Sequence, residues 1–457
     1  VGLPSPSSSN RHGPLSPAVA RPCSTSALEA CQLGTGEPSS RPAVASAVVS
    51  PNRMPLRKGP SLETLWCCQG DRSGDLAGRR RWRWPAIREA PCGALPDVVV
   101  PNFHRRYTGV SATVQALIPY QRERISVGLW DWGGLPLAAQ FCWFDLWRHG
   151  WTKPAHGGKR IWHARRDLEI VVGLLLREVL RQPWRVVFTS AAPKPPGLWL
   201  RWLMGHCDAL IATSERSAAF LPGPSTVIHH GVDTAFYCPQ ALEGQPGELS
   251  GKLATTRRWI GAFGRIRFSK GSDLLVEALV QVLPDYPDVS AFFTGLCKPR
   301  DQAYFEAMVA KIRAAGLEER ICFLGDLDRN QVRALFQQAS LCVAASRREV
   351  FGLTPLEAMA SGTAVLTSGA GVWPQVVDSA VGLRFETNQL EDLVAKLRLL
   401  LADPGRLQAM GEAGRQRAVA RHSLAREVEA IHQLYGQVAP FATLQKHPSG
   451  ASLGREC

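Results

Sequence analysis

WIGAFGRIRFSKGSDLLVEALVQVL (Trp259–Leu283) decides how this chain folds. WIGAFG is a short apolar, strand-like run, SDLLVEALVQVL reads as a helix, and a basic turn, GRIRFSKG (Gly264–Gly271), joins them. A strand that passes through a turn into a helix is the repeating unit of a parallel sheet covered by helices. Downstream the alternation continues: VSAFFTG as a strand, a long helix to about Ala315, ICFLG as a strand, DRNQVRALFQQA as a helix, LCVAAS as a strand, TPLEAMAS as a helix and AVLTS as a strand. From about Leu390 to Tyr435 the pattern is helical. Upstream, DVVVPN (Asp97–Asn102), ISVGLW (Ile125–Trp130), RVVFTS (Arg185–Ser190), DALIATS (Asp208–Ser214) and TVIHHG (Thr226–Gly231) are strands separated by helical stretches, the first around Ser111–Gln121. PQALEGQPGELSG (Pro239–Gly251) has the composition of a linker. The expectation is an α/β protein of two doubly wound, Rossmann-like parallel-sheet lobes. The first spans residues 97–238, the linker 239–256, the second lobe with its C-terminal helices 257–436, and a loose tail 437–457.

Residues 1–96 are rich in Ser, Pro, Gly, Ala and Arg and lack a sustained period, the composition of a disordered extension. Within them RRRWRWPAIR (Arg79–Arg88) could serve as a basic, tryptophan-bearing arm for RNA or a membrane surface. A length of 457 residues allows two or three cores, and the 45% hydrophobic and 20% charged content is that of a globular protein. No run of about 18 apolar residues supports a spanning helix, and no signal-like N-terminal segment is present, so cytoplasmic residence is expected. The net charge of +14 favours polyanions: nucleic acid, an anionic membrane face or phosphorylated substrates. The 12 cysteines have no CxxC or zinc spacing and read as free thiols.

Open parallel sheets bind ligands at the carboxyl ends of their strands. GRIRFSKG occupies such a place. Gly264 permits a close turn, and Arg265 and Lys270 bring two cations to the start of a helix, whose amides and dipole also favour an anion. That combination suits a diphosphate, each charge-assisted bond being worth ~1.5–3 kcal/mol net. It is neither a Walker sequence nor a GxGxxG fingerprint, which removes support for ATPase and hydride-transfer chemistry. The second loop is SRREVFGLTPLEAMASG (Ser346–Gly362). Thr354, Pro355 and Glu357 have the spacing of a capping box, so Glu357 has a structural use as well as a chemical one. Glu349 precedes the helix beside Gly352 and is placed to accept hydrogen bonds from sugar hydroxyls. The amides of Phe351, Gly352, Leu353 and Thr354 could hold a second anionic group.

Glu349 and Glu357 are seven residues apart, and this E-x7-E pair resembles the signature of family 4 retaining glycosyltransferases of the GT-B fold. The GRIRFSKG loop and HHGVDTAFYCP (His229–Pro239) match further elements of that family in the same order, over residues 97–436. The resemblance implies that Glu349 contacts the donor hexose and Glu357 the donor ribose. It implies that Arg265 and Lys270 hold the diphosphate, that no metal is needed, and that the leaving diphosphate helps deprotonate the acceptor in a front-face displacement. PNFHRRYTGVSATVQALIPYQ (Pro101–Gln121), IWHARRDLEI (Ile161–Ile170) and FTSAAP (Phe188–Pro193) resemble the lipopolysaccharide core mannosyltransferases, which use GDP-mannose. By that resemblance Gly109 lets the first loop approach donor and acceptor, and His163 lies near the reacting sugar; a structural histidine at a strand end is the other reading. Arg105, Arg106, Arg165 and Arg166 suit a phosphorylated or carboxylated lipid-linked acceptor, and solvated charge is their other reading. The implied partners are a nucleotide sugar, a lipid-linked saccharide and the anionic cytoplasmic face of an inner membrane.

Three other functions fit parts of the sequence. A UDP-sugar donor would keep the fold and the glutamate roles. Paired carboxylates also run glycosidases, which have no use for the Arg/Lys loop. A nucleic-acid-binding protein would explain the charge, but no binding module accompanies it.

Overall fold

The computed structural model describes residues 95–439 apart from 106–107, 136, 138–142, 155–156, 193 and 240–257. The N-terminal extension, its RRRWRW arm, Arg106, nearly all of the linker and the end of the tail lie outside the described residues.

The first sheet contains β1 (Val98–Asn102), β2 (Val127–Asp131), β3 (Arg160–Ala164), β4 (Trp184–Ser190), β5 (Ala209–Ala212) and β6 (Thr226–Val227). All its pairings are parallel, in the order β2-β1-β3-β4-β5-β6. The second contains β7 (Arg258–Phe263), β8 (Val289–Thr294), β9 (Ile321–Gly325), β10 (Leu341–Ala344), β11 (Ala364–Ser368) and β12 (Gly382–Phe385), all parallel in the order β12-β11-β10-β7-β8-β9. Read from β9, this is the 3-2-1-4-5-6 order of dinucleotide-binding sheets, with its reversal between β7 and β10. In the first sheet the order reverses between β1 and β3. Two doubly wound lobes are therefore observed, as the alternation in the sequence predicts.

Two strands escape the sequence reading. RIWHA forms β3 although it carries Arg160 and His163, both buried, and GLRF forms the four-residue edge strand β12. Polar residues obscure the first as a strand, and brevity the second.

On one face of the first sheet, α2 (Trp143–His149), α3 (Asp167–Leu174) with a π-helical turn (Leu175–Val179), and α4 (Leu198–Gly205) share a core through Leu146, Ile170, Leu174, Leu203 and Met204. On the other face lies α1 (Gly109–Arg122). Its neighbour there is the last helix of the chain, α13 (Leu424–Val438), which buries Leu424, Val428, Ile431 and Tyr435 against Val98, Val114 and Leu117. Sequence order places this helix with the second lobe; its apolar face instead completes the first. The chain reaches it through Val232, whose N–H donates to His422 and whose carbonyl accepts from Leu424. Helix α5 (Glu215–Ala218) follows β5; in the second lobe α6 (Ser272–Val282) and α9 (Thr354–Ala360) follow β7 and β10, α8 (Arg329–Gln338) precedes β10, and α7 (Gln302–Ala314), α10 (Trp373–Val376), α11 (Leu390–Leu401) and α12 (Pro404–Arg421) are the other helices there. Among the described residues no helix is long and apolar enough to cross a membrane.

Candidate active site

The loops after β7 and β10 meet at the switch point of the second sheet. Gly271 is what brings them so close. Its φ of +69° is left-handed, and a Cβ there would come within 2.0 Å of the Ala345 carbonyl oxygen. Above it, Ser269 accepts the amides of Arg347 and Arg348 at 3.0 and 3.3 Å. Arg347 fastens the two loops from outside. It grips Asp273 with both terminal nitrogens (2.6 and 3.0 Å), lies 4.0 Å over the Phe268 ring and donates to Asn388 at 2.6 Å.

Within this frame Lys270 Nζ donates to Glu349 Oε2 at 2.5 Å, and Ser346 Oγ reaches the same oxygen at 3.4 Å. The two groups predicted for diphosphate and sugar are thus each other's partner. Glu349 is held by Gly352, whose φ is +84° and where a Cβ would lie 2.5 Å from Trp373 Nε1 and 2.7 Å from Glu349 Cγ. Trp373 in turn donates to the Gly352 carbonyl at 3.0 Å. Gly264, Lys270, Gly271, Ser346, Thr354 and Trp373 line a small recess. Arg265 is exposed and donates no hydrogen bond to a described residue. Arg267, which the sequence reading passes over, has a buried Nε without a hydrogen-bond partner. Burial and then the Arg265 charge lower its pKa, while Glu349 opposes them. Its two-residue spacing from Arg265 was the available signal.

The capping box is not formed. Leu353 is the N-cap of α9 with no side-chain bond, and Thr354 and Pro355 are already helical. Phe351 is buried, and Leu353 and Thr354 are partly so. Glu357 thus sits one position beyond N3, where a capping glutamate stands, and faces Tyr237 and the charges of Arg329 and Lys270. Part of its surface is open, yet desolvation pushes its carboxyl up to about 7, against the hydrogen bond from Tyr237 and the two cations. The Glu357 environment extends across to the first lobe. Arg329 lies 3.9 Å over the Phe236 ring and donates to Asp233 at 3.2 Å; Asp233 accepts the Tyr120 hydroxyl of α1 at 2.9 Å. These partners are some 100 residues apart in sequence, so no local pattern announces them.

The switch point of the first sheet is built differently. Glu169, fully buried, accepts the amides of Phe103, Arg165 and Arg166 at 3.3, 2.8 and 3.1 Å. Arg166 donates to Asn102 Oδ1 (2.8 Å), Thr108 Oγ1 (2.9 Å), Ser111 Oγ (3.3 Å) and Glu169 Oε1 (3.3 Å). Arg165 is buried, bonded to Thr113 at 3.2 Å, and burial lowers its pKa. Neither arginine is a solvated charge: Arg166 holds the segments around it, while Arg165 is tied to α1 and keeps a buried Nε without a partner. Arg105 is exposed. A Cβ on Gly109 would meet nothing within 4 Å, so protein packing does not demand glycine there.

His163 is fully buried, with Nδ1 2.5 Å from the Tyr435 hydroxyl and Nε2 2.7 Å from Thr189 Oγ1. Desolvation, then the Arg165 charge, lowers its pKa well below the usual histidine value. Both nitrogens are occupied inside the protein, and the ring ties β3 to α13. That arrangement fits the structural reading of this residue. Glu427 of α13, unannounced in the sequence, clamps the HHG turn by accepting from Gly231 N at 2.7 Å and pairing with His230 Nδ1 at 2.9 Å; His230 packs edge-on against Phe351. Among the described residues no group of three His, Cys, Asp or Glu side chains converges as a metal site.

Residues 250–417 match the model of the family described as "Glycosyl transferases group 1". The chain is 39% identical over 352 residues to the lipopolysaccharide core biosynthesis mannosyltransferase LpcC of Rhizobium leguminosarum bv. viciae, covering 75% of this chain and 96% of that one. It is 34% identical over 345 residues to the corresponding LpsB of Rhizobium meliloti, covering 74% and 97%. The solved structure of Anabaena HepE with UDP superposes with a TM-score of 0.61 at 20% identity, over 74% of this chain and 99% of that one, a likeness of fold. The fold is GT-B, and the chain is a glycosyltransferase that belongs to the group 1 glycosyl transferase family.

Proposed function

We propose that this enzyme moves a mannosyl residue from GDP-mannose, with retention and without a metal ion, to a lipid-linked saccharide of the lipopolysaccharide core kind. The observation that carries the reading is the Lys270–Glu349 pair at 2.5 Å, beside Arg265 and Arg267, at the switch point of a dinucleotide-type sheet. The names of the two Rhizobium relatives support mannose as the sugar and a core saccharide as the acceptor.

In this reading donor entry divides the pair. The ammonium turns to the diphosphate, which Arg265 and Arg267 also neutralise, and the Glu349 carboxylate accepts hydroxyls of the sugar. The acceptor oxygen bonds to the anomeric carbon on the face from which the diphosphate oxygen departs, and the acceptor proton passes to that oxygen. Glu357 accepts the ribose hydroxyls, which replace the solvation its carboxylate lacks. The protein contributes position and charge rather than a covalent intermediate. In the same reading the nucleotide-sugar donor puts the work in the cytoplasm, and the lipid of the acceptor puts it at the inner face of the inner membrane.

The test is a donor panel. Thermal stabilisation and slow hydrolysis are followed with GDP-mannose, GDP-fucose, UDP-glucose, UDP-galactose and ADP-heptose, with and without EDTA. A selective, EDTA-resistant response to GDP-mannose is expected. A response confined to a UDP-sugar would overturn the mannose assignment, and loss of activity in EDTA would overturn metal independence.

A further inference from the structure

The helical face formed by α2, α3 and α4 leaves large apolar side chains in water. Leu198 is 88% exposed, Trp199 60% and Trp202 53% on α4, while Phe144 is 65% and Trp147 52% exposed on α2. An ordinary amphipathic helix buries its apolar stripe and shows charge to solvent. Helix α4 buries Leu203 and Met204 and then presents a second apolar stripe outward, where Trp199 and Trp202 stack with their rings 5.3 Å apart.

These groups belong to one surface. The three helices contribute to the same core, and α3 packs against α4. Trp151, beyond α2, donates its indole N–H to the Leu180 carbonyl at 2.8 Å, and Arg177 of the π-helical turn donates to the His206 carbonyl at the end of α4 at 2.7 Å. Val179, 67% exposed, stands between those two ties. Exposed cations are interspersed: Arg148 after Trp147, Arg181 at the end of the π-helical turn and Arg201 between the two tryptophans of α4. On the same elements the exposed acids are Asp167 at the start of α3 and Glu178, which is ion-paired with Arg177.

The geometry points to this face as a docking surface for an anionic lipid bilayer. Indole rings favour the headgroup layer, apolar tips reach the acyl boundary, and Arg side chains pair with anionic headgroups. A second copy fits poorly, because each chain carries a net charge of +14 and would set Arg against Arg. The surface is also suitably placed. Helices α2 and α4 follow β2 and β4, so Phe144, Leu198 and Trp199 in their first turns lie toward the carboxyl edge of the sheet, where ligands of such folds bind. The inference rests on the proposed lipid-linked acceptor and adds where the enzyme meets the membrane that holds it.

The test uses the full chain and vesicles of phosphatidylcholine, with or without 30% phosphatidylglycerol, in a flotation assay. Wild type is expected to bind the anionic vesicles on the order of tenfold better than the neutral ones, and W199Q/W202Q to lose on the order of tenfold. Both substitutions are on exposed side chains, so melting temperature and donor hydrolysis should not change. Unaltered vesicle binding by the double variant, with attachment then carried by another part of the chain, would overturn the proposal. So would a wild-type dimer in sedimentation that the double variant dissociates, which would make the face a self-contact. Donor hydrolysis separates the two ideas: its selectivity can fail while the tryptophan effect stands, and the reverse.

Discussion

The two sheets reverse their strand order at equivalent places, and the chain sets a cluster of arginines and a glutamate at each, yet the clusters are wired in opposite ways. In the first lobe Arg166 donates four hydrogen bonds to protein acceptors, Arg165 is buried and Glu169 is saturated by three backbone amides. In the second lobe Arg265 is exposed, Arg267 keeps an unpartnered Nε, and Glu349 has a single cation that a ligand can take over. Position at a switch point therefore does not identify a ligand-binding charge. Each cluster holds one arginine with a buried, unpartnered Nε, Arg165 and Arg267, so what distinguishes the second is the exposed guanidinium of Arg265 beside the Lys270–Glu349 pair. A saturated charge is scaffold; an unsaturated one is available to substrate.

The comparison breaks most visibly at the glutamates. Glu349→Ala should lower the turnover of the proposed donor, GDP-mannose, by roughly two orders of magnitude, about 2.7 kcal/mol in the barrier, with little change in melting temperature. Glu169→Ala belongs to the other class and should cost folding stability instead. A near-normal rate in the Glu349 variant, measured at saturating donor, would remove it from the site.

The arginines give the matched experiment. Arg166→Ala leaves Asn102, Thr108 and Glu169 without their shared donor and should cost about 2 kcal/mol of unfolding free energy, read from urea midpoints. Arg265→Ala should leave that midpoint in place and weaken binding of the proposed nucleotide, GDP, about tenfold, ~1.4 kcal/mol, in calorimetry. The reverse pattern would mean that open bonding capacity is the wrong criterion.

The sequence disclosed the strands and helices wherever apolar runs were unbroken, and it disclosed the loop Gly264–Gly271 and the Glu349/Glu357 spacing because both are local. It concealed β3, because Arg160 and His163 are satisfied only after folding: Arg160 bonds to Thr152, and His163 to Thr189 and Tyr435. The four residues from Thr354 to Glu357 imitate a cap that the backbone begins one residue too early to form. The docking of α13 was hidden for a different reason. An amphipathic helix states that it needs a surface but not which one, and Tyr435 finds its partner 272 residues away. Tyr237, Arg329 and Glu427 were invisible on the same ground, since each becomes part of the site by a contact between distant segments.

The smallest effect is the most discriminating, because it separates the loop carboxylate Glu349 from the helix carboxylate Glu357 eight positions on. Glu357 is raised to about 7 from 4.5 chiefly by desolvation, so its folded form holds a proton more tightly than its unfolded form. Such a group costs stability when ionised. The cost is nearly absent below about pH 4.5, grows as pH rises to about 7, and is level above that. The shift corresponds nominally to about 3 kcal/mol. Glutamine removes the charge but weakens the bond from Tyr237, so roughly 1 kcal/mol of net gain is a reasonable expectation. Glu357→Gln should therefore melt above wild type at pH 8, converge with it near pH 4.5, and bind donor more weakly throughout. Stabilisation that is independent of pH would mean that the carboxylate is not the source. A variant less stable than wild type at pH 8 would mean that Tyr237 and Arg329 already compensate the charge, and Glu357 would then belong with Glu169, as scaffold.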